Sequence, residues 1–381
     1  MDNLKVIISG GGTGGHIFPA ISIANAIKEL APSSEILFVG AKGRMEMERV
    51  PAAGYRIKGI PARGLKRPLY TLSNIGVMID YFKCKNMAKH IIKEFEPNIV
   101  VGVGGYASAA IVGVASKMGI PTLLQEQNSF AGLVNRKNAN DVNKICVAYD
   151  GMERFFPKDK IILTGNPIRK EIQPASISLR EEGYKFYNLD PNKKTIFVVG
   201  GSLGCRTLND WAKAEIANGA LFKYKATPGQ ECQIIWQCGK IYEDEISKFM
   251  TGRKEKNVYH TSFISRMDLA YAAADIVISR AGAGTISELC VAEKCTIFVP
   301  SSMVAEDHQT HNAMSIVSKE AAIMIKDSTA KGEITPCIKD LINNPYKIKL
   351  YEDNIGKLAK KNAGVVIAKE CIKLATIKIK R

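Results

Sequence analysis

The 381-residue sequence lacks the patterns that mark membrane-spanning, secreted and nucleic-acid-binding proteins. No run of about 18 or more residues is wholly apolar, so no transmembrane helix is expected. Residues 1–5 lead directly into an apolar, β-branched run and show no signal-peptide pattern, which predicts a cytoplasmic protein. The basic residues are not gathered into one aromatic-interleaved patch and no RNA- or DNA-binding motif occurs, so nucleic acid is not an expected partner.

Metal-binding and disulfide patterns are missing as well. The nine cysteines are odd in number, are scattered mostly within apolar runs and include no CxxC pair, which predicts free buried thiols in a reducing compartment. The five histidines include no HExxH motif, and the close pair His308 and His311 fits one turn of a helix. We therefore expect no metal site.

Positive charge is what the sequence has in excess. Its formal net charge of +16 predicts polyanionic partners. Because nucleic-acid motifs are missing, a phosphorylated substrate or an anionic membrane surface is the favoured partner.

A glycine-rich stretch at residues 9–19 lies between a predicted strand at 4–8 and a predicted helix at 20–30. Glycines in that position allow a sharp turn and let backbone N–H groups approach an anion over the positive end of the helix. The stretch therefore predicts a phosphate-binding turn.

The glycine spacing first suggests a dinucleotide. Gly10, Gly12 and Gly15 match the nicotinamide or flavin fingerprint. However, the next predicted strand, at 35–39, runs into Gly40-Ala41-Lys42 without the acidic residue that holds an adenosine ribose. This difference counts against a dinucleotide enzyme.

The order of strand, glycine turn and helix recurs and predicts an α/β protein of two doubly wound, Rossmann-like domains. Glycine and proline interrupt the pattern at 164–169, so we place an N-terminal domain at 1–165 and a C-terminal domain at 166–345. Residues 346–381 are helical by pattern and lysine-rich, and they form either a helix returning to the first domain or a basic tail. The further predicted strands are 55–60, 98–102, 121–124, 144–148, 161–163, 195–199, 233–237, 258–261, 275–279 and 296–300.

Two stretches have two interpretations each. The helix expected after residues 62–70 has more apolar residues than one buried face needs, so it is either well buried or a patch that dips into a bilayer. The residues that would meet anionic headgroups are Lys66, Arg67, Lys83 and Lys85. Amides and a carboxylate cluster at 125–132, after a predicted strand, and indicate either a ligand site or ordinary turn chemistry.

Two helix starts are predicted in the second half. Ser265, three residues before Asp268, has the spacing of a capping box for a helix at 269–274. Glu288 is expected in or near the first turn of a helix at 286–292, where the macrodipole favours a carboxylate whatever its function.

Seven motifs follow one another along nearly the whole chain, and together they are far more specific than any one alone. They are Gly11-Gly12-Thr13-Gly14-Gly15-His16-Ile17-Phe18-Pro19, Gly104-Gly105-Tyr106, Glu126-Gln127-Asn128, Gly165-Asn166-Pro167-Ile168-Arg169, Gly200-Gly201-Ser202-Leu203-Gly204, residues 279–288 and Asp307-His308-Gln309. In this order they resemble the bacterial peptidoglycan glycosyltransferases of the GT-B class, which add N-acetylglucosamine to lipid-linked muramyl-pentapeptide.

The resemblance implies a GT-B fold, two doubly wound domains facing across a cleft. It also implies inverting transfer from UDP-N-acetylglucosamine to the C4 hydroxyl of the lipid-linked acceptor, at the cytoplasmic face of the cell membrane. No DxD motif stands at a strand end, in keeping with a reaction that needs no metal or cofactor. The sequence departs from the family pattern at two positions, with Gln125 where the family often has histidine and Leu203 where glutamine is common. These differences concern individual contacts and not the reaction.

The resemblance assigns the donor mainly to the second domain. Glu288 would accept hydrogen bonds from both ribose hydroxyls, and backbone groups at Ile264 would bind the uracil. Gln309 and Asn128 would hold sugar hydroxyls. The expected substrate-binding residues are Thr13, Gly14, Gly15, Asn128, Arg169, Ser202, Ile264, Ala283, Gly284, Thr285, Ile286, Ser287, Glu288 and Gln309.

The resemblance also suggests how the diphosphate is held. Ala283, Gly284 and Thr285 would bring a helix N-terminus close to it. Ser202 would add a hydroxyl and Arg169 a fixed positive charge.

His16 is the candidate general base, because its ordinary pKa suits proton removal near neutral pH. Alternatively, His16 only orients the loop or a phosphate, and Glu126 and Asn128 have structural or acceptor-positioning roles. Residues 13–15 would hold the pyrophosphate of the lipid or touch the donor sugar. Two rival functions are a GT-B transferase for another lipid acceptor and a non-catalytic nucleotide-sugar-binding protein.

Overall fold

The computed structural model describes residues 4–64, 73–201, 203–222, 231–253, 257–301 and 303–376, with only the backbone at 73–79 and 305. Lys66, Arg67 and Ser202 therefore lie outside the described residues, as do the side chains at 73–79. The chain divides into two compact units, Met1–Ile168 with Lys360–Arg381, and Arg169–Ala359.

The strands alternate with helices along both units. In chain order the strands are β1 (Lys5–Ser9), β2 (Glu35–Ala41), β3 (Arg56–Ile60), β4 (Ile99–Gly102), β5 (Thr122–Glu126), β6 (Lys144–Val147), β7 (Ile161–Leu163), β8 (Lys194–Val199), β9 (Cys232–Gln237), β10 (Val258–Thr261), β11 (Ile276–Ser279), β12 (Thr296–Phe298) and β13 (Ile323–Met324). The helices are α1 (Gly14–Leu30), α2 (Glu46–Ala52), α3 (Ser73–Phe95), α4 (Tyr106–Lys117), α5 (Leu133–Asn138), α6 (Ile177–Phe186), α7 (Arg206–Asn218), α8 (Glu243–Met250), α9 (Met267–Ala273), α10 (Ala283–Ala292), α11 (His308–Val317), α12 (Ala330–Asn343), α13 (Pro345–Lys357) and α14 (Ala363–Ala375).

The sheet of the first unit has the strand order β3-β2-β1-β4-β5-β6-β7, and its strands pair in parallel. Successive side chains of a strand point to opposite faces. Ile7 accordingly belongs to one apolar cluster, whereas Val6 and Ile8 belong to another. Burial on both faces explains why these strands are continuous apolar runs.

The strand order reverses between β1 and β4, which are neighbours in the sheet. Ligands of doubly wound sheets bind outside the carboxyl ends of the strands at such a reversal. The glycine loops after β1 and after β4, at residues 10–13 and 103–105, both leave the sheet at this point.

The sheet of the second unit has the order β10-β9-β8-β11-β12-β13, again with parallel pairing. Its order reverses between β8 and β11, so the glycine turns after these two strands leave the sheet side by side. The predicted α/β class and doubly wound domains are confirmed. Every strand proposed from the sequence is present, and among the strands of the described residues only β13, two residues long, has no counterpart in the predictions.

The C-terminal segment contributes to both units. Helix α13 belongs to the second unit, and the chain from Lys360 onward belongs to the first. Ile367, Cys371 and Leu374 of α14 join the apolar cluster that contains residues of α1. A side chain on Gly364 would reach ordinary van der Waals distance of α1, 3.7 Å from the Ser22 carbonyl. The last described helix therefore closes the core of the first unit.

Helix α3 is amphipathic over its described side chains. Cys84, Ala88, Ile91 and Ile92 are buried at helical spacing, whereas Phe82 is 60% exposed. Among the described residues, no helix combines the length and apolar character needed to cross a bilayer.

Candidate functional site

The helix that follows the glycine loop of the first unit begins earlier than predicted. Helix α1 begins at Gly14, with extended Thr13 as its N-cap, whereas the sequence predicted a start at residue 20. The apolar periodicity of α1 is masked at its start by glycine, so the helix was not recognised there. Gly14, Gly15 and His16 therefore form the first turn. The N–H groups of Gly14 and Gly15 precede the first bond of the helix, whereas His16 N donates to the Thr13 carbonyl at 3.1 Å.

His16 lies over the loop that precedes it. Its Nδ1 atom is 3.0 Å from the Gly11 carbonyl oxygen. A carbonyl only accepts hydrogen bonds, so Nδ1 carries the proton and the neutral ring has its lone pair on Nε2. Nε2 is the atom that a general base in this orientation would use.

The glycine turn after β4 packs directly against this loop. Gly104 and Gly105 have positive φ values of 94° and 87°. A side chain at Gly104 would come within 2.8 Å of His16 Nε2, and one at Gly105 would come within 2.5 Å of the Gly11 oxygen. Glycine at both positions thus keeps His16 and the Gly11 peptide in place.

Glu46, at the start of α2, is a site residue that the sequence did not single out. The side chain is 0% exposed. Its Oε2 accepts from Gly12 N and its Oε1 from Ala41 N, each at 3.0 Å. The available signal was an acidic residue shortly after β2, placed to reach the loop after the neighbouring strand β1.

Glu126 is committed to its own turn. Its Oε1 accepts from Asn128 N at 3.0 Å and Asn128 Nδ2 at 3.3 Å, and its Oε2 accepts from Gly132 N at 3.0 Å and Asn135 Nδ2 at 2.8 Å. Both oxygens of this buried carboxylate are therefore engaged, which favours the structural role for Glu126. The turn also fixes Asn128, whose role in binding sugar stays a prediction.

The neighbouring amides join three loops of the first unit. Gln125 Nε2 donates to Asn166 Oδ1, and Asn166 Nδ2 donates to the Gln127 carbonyl, both at 3.0 Å. Gln127 Nε2 donates to the Val103 carbonyl at 2.9 Å. Gln125 thus connects the end of β5 to the loop after β7.

In the second unit, helix α10 begins at Ala283 with Gly282 as N-cap. Ala283, Gly284 and Thr285 are its first three residues, whose N–H groups are oriented to bind an anion. The predicted start at 286 was too late, so Glu288 lies in the second turn. The macrodipole falls off within the first turn, and it does not account for this glutamate.

Glu288 is buried and held by two side chains. Its Oε1 accepts from Arg169 Nε at 3.0 Å, and its Oε2 accepts from the Tyr271 hydroxyl at 3.2 Å. Burial raises the pKa of Glu288 above its ordinary value, while Arg169 and the Tyr271 hydrogen bond lower it. The Arg169 side chain is 47% exposed. The sequence did not identify Tyr271.

The remaining predicted residues of the second unit lie on several elements. Ile264 is buried in the loop between β10 and α9, and Ile286 is buried in α10. Ser287 Oγ donates to the Ala283 carbonyl at 3.1 Å. Gln309 Oε1 accepts from Ser301 N at 2.9 Å, which connects α11 to the loop after β12. Their roles with substrate stay predictions.

The predicted capping box before α9 is wrong. The N-cap is Arg266, without a side-chain cap. The Asp268 carboxylate instead binds the Arg266 guanidinium at 2.7 Å, because a charged partner two residues away competes with the backbone.

Cysteines and acidic residues form no metal centre in the described ranges. No group of three or more His, Cys, Asp or Glu side chains within them is placed to hold a metal ion. The nine cysteines are free thiols, and all but Cys337 are buried.

Two family models match the chain. Residues 6–147 match the glycosyltransferase family 28 N-terminal domain, and residues 195–364 match the glycosyltransferase family 28 C-terminal domain. These matches include all or most of every strand of the two sheets except β7.

Curated relatives match almost end to end. The UDP-N-acetylglucosamine–N-acetylmuramyl-(pentapeptide) pyrophosphoryl-undecaprenol N-acetylglucosamine transferase of Phocaeicola vulgatus is 54% identical over 98% of this chain and 97% of its own length. The protein of the same name from Bacteroides thetaiotaomicron is 50% identical over 98% of each chain.

Solved structures share the fold. Acinetobacter baumannii MurG has a TM-score of 0.77 at 24% identity and covers 97% of this chain and 99% of its own. The calicheamicin glycosyltransferase CalG4 has a TM-score of 0.69 at 10% identity and covers 100% of both chains.

Proposed function

The chain belongs to glycosyltransferase family 28 and transfers N-acetylglucosamine from UDP-N-acetylglucosamine to lipid-linked muramyl-pentapeptide, and we propose which of its residues perform this transfer. The observation that supports this reaction is the match with a transferase of that name, 54% identical over 98% of this chain. The product is the disaccharide-linked lipid II of peptidoglycan synthesis.

The donor binds at the start of α10. Ala283, Gly284 and Thr285 direct backbone N–H groups at the diphosphate, and Glu288 accepts from the ribose hydroxyls. Support comes from the helix start at Ala283 and from the buried Glu288 carboxylate. Arg169, which pairs with Glu288 through a half-exposed side chain, is long enough to turn towards the diphosphate while keeping its charge.

The acceptor hydroxyl is deprotonated by His16. The C4 oxygen of the acceptor attacks the anomeric carbon, its proton passes to His16 Nε2, and the bond from the anomeric carbon to UDP breaks with inversion. Support for this role is the hydrogen bond from Nδ1 to the Gly11 carbonyl, which leaves the lone pair on Nε2. Charge that develops on UDP is stabilised by the α10 N–H groups and Arg169.

The test of the reaction is an assay with purified protein, labelled UDP-N-acetylglucosamine and two acceptors, the muramyl-pentapeptide pyrophosphoryl lipid and a diacylglycerol. We expect label in the muramyl lipid alone. Transfer to diacylglycerol alone would assign a different lipid acceptor, and donor binding without any transfer would assign a nucleotide-sugar-binding protein.

The protein also binds an anionic membrane surface as a peripheral enzyme through α3 and α5. Phe82 and Leu133 are 60% and 61% exposed. Lys85 Nζ and Lys137 Nζ lie 4.5 Å and 5.1 Å from the centre of the Tyr81 ring. Apolar side chains beside lysines suit the boundary between acyl chains and anionic headgroups.

Liposome flotation tests this surface. Replacing Ile75, Ile79 and Phe82 by Ser should reduce binding to anionic vesicles, whereas Phe186→Ser, at an exposed phenylalanine of the second unit, should not. Unaltered binding of the triple variant would return α3 to a purely structural role.

A further inference from the structure

His16 and Glu46 bind opposite ends of one peptide group. The Gly11 carbonyl accepts from His16 Nδ1 at 3.0 Å, and the Gly12 N–H of the same peptide donates to Glu46 Oε2 at 3.0 Å. The C=O and N–H of a trans peptide point in opposite directions, so His16 and Glu46 lie on opposite sides of one planar amide and are connected through its two hydrogen bonds. We propose that Glu46 is a positioning residue that sets the orientation and tautomer of His16 through the Gly11–Gly12 peptide, an inference that rests on the proposed role of His16 as base.

Glu46 is itself held rigidly. Its second oxygen accepts from Ala41 N at the end of β2, and the side chain is 0% exposed. A side chain on Gly11 would collide with Glu46 Oε1, and one on Gly40 would lie 2.6 Å from Glu46 Cγ. Two glycines on neighbouring strand ends therefore form the slot that Glu46 occupies.

The hydrogen bond from Gly12 to a carboxylate changes the carbonyl at the other end of the amide. Hydrogen bonds in a chain polarise one another, so the Gly11 oxygen becomes a stronger acceptor. A stronger acceptor favours the proton on Nδ1, which leaves Nε2 as the base, and it stabilises the imidazolium formed when Nε2 takes the acceptor proton. Glu46 takes no proton from His16, because a neutral peptide separates them.

The same contact limits what the glycine loop offers a ligand. The glycine stretch was expected to present backbone N–H groups to an anion, but the Gly12 N–H donates to the carboxylate of Glu46. Binding of a pyrophosphate by this loop is therefore left to the start of α1, at Gly14 and Gly15, where a helix leaves its first N–H groups without an intrahelical acceptor.

The experiment compares Glu46→Gln with the wild-type protein. Glutamine has one acceptor oxygen for two backbone N–H donors, so one of them must face an amide NH₂. The ¹⁵N shifts of the His16 ring, measured at about pH 8.5, where an ordinary imidazole is neutral, report which nitrogen carries the proton. We expect Nδ1–H in the wild type and a loss of that preference in the variant.

Kinetics provide the second measurement. Glu46→Gln should lower kcat about tenfold while the donor KM changes less than twofold, since a base in the wrong tautomer is impaired without loss of donor contacts. Glu48→Gln, at an exposed glutamate of the same helix, is the matched control and should keep both values. If Glu46→Gln fails to fold, Gly11→Ala, which presses a methyl group onto Glu46 Oε1, replaces it in both measurements.

The outcomes separate this inference from the proposed function. An unchanged tautomer and kcat in the folded variant overturn the role of Glu46 while His16 remains the base. An Nε2–H ring in the wild type overturns both the role of Glu46 and the use of Nε2 as the base. Full activity of His16→Ala together with a shifted tautomer in Glu46→Gln overturns the catalytic role of His16 and leaves the positioning by Glu46 intact.

Discussion

Glu46 in the first unit and Glu288 in the second are both buried glutamates, 0% and 7% exposed, and they differ in what holds them. Backbone N–H groups of Gly12 and Ala41 bind Glu46, and the side chains of Arg169 and Tyr271 bind Glu288. A backbone donor leaves only if the loop rearranges, whereas a half-exposed arginine can rotate away. A carboxylate bound by the backbone is thus structural, and one bound by side chains is available to a ligand.

Glu126 extends the comparison. Its four donors are two backbone N–H groups and the amides of Asn128 and Asn135, all within its own turn and the helix that follows. Because each of its two oxygens accepts from a backbone N–H group, Glu126 belongs with Glu46. The predictions below test the division by replacing residues of both kinds.

The largest effect on activity is expected from replacing His16, the proposed base that follows the loop bound by Glu46. His16→Ala should lower kcat by about 10²–10⁴-fold, the usual contribution of a general base, with a small change in donor KM. Steady-state assays with both substrates measure this, and His90→Ala, at an exposed histidine on α3, is the control. A loss of less than about threefold would remove catalysis from the loop.

The next effect tests whether Glu288 is available to the donor. Glu288→Gln should raise the donor KM about 10- to 100-fold, because charge-assisted hydrogen bonds to the ribose hydroxyls are weakened. Its Tm should stay the same or rise, since a carboxylate that is costly to bury is removed while exposed Arg169 can be hydrated. Glu181→Gln, at an exposed site on α6, is the control. An unchanged KM with a lower Tm would place Glu288 with the structural carboxylates.

The pH dependence of donor binding should separate two roles of Arg169, its pairing with Glu288 and its proposed contact with the diphosphate. Burial already raises the pKa of Glu288, and Arg169 lowers it, so Arg169→Ala should raise this pKa further. Protonated Glu288 cannot accept from both hydroxyls. As the pH falls, donor affinity should therefore begin to decrease at a higher pH in the variant than in the wild type. Below the new pKa of Glu288, the affinity should decrease about tenfold for each pH unit. Donor KM measured across pH gives the shift. A loss that is the same at every pH would assign Arg169 to the diphosphate alone.

The smallest effect is expected from replacing Glu126, the carboxylate at the end of β5. Glu126→Gln should lower Tm by about 2–4 °C, because one of its donors loses an acceptor, and should leave the donor KM unchanged. Thermal melting and donor titration check the two parts. A raised donor KM without a change in Tm would show that a carboxylate bound mainly by its own turn can still serve a ligand.

Much of the fold was predictable because it depends on local pattern. Buried parallel strands are continuous apolar runs, and glycine turns mark their ends, so the strands and the doubly wound class could be derived residue by residue. Helix starts were less predictable, since α1 and α10 begin within glycine and alanine residues that carry no apolar periodicity. A candidate site could be proposed from the sequence where a motif is contiguous, as at residues 11–19.

The amino-acid sequence by itself determined two α/β units, their glycine turns and membership in a family of sugar transferases. Only the tertiary structure decided that Glu46 reaches Gly12, that Arg169 reaches Glu288 and that α14 returns to the first unit. The first two contacts join residues 34 and 119 positions apart. Such contacts depend on the order of strands in a sheet, as when β2 lies beside β1 and brings α2 beneath the glycine loop, and local periodicity records burial but not which elements become neighbours.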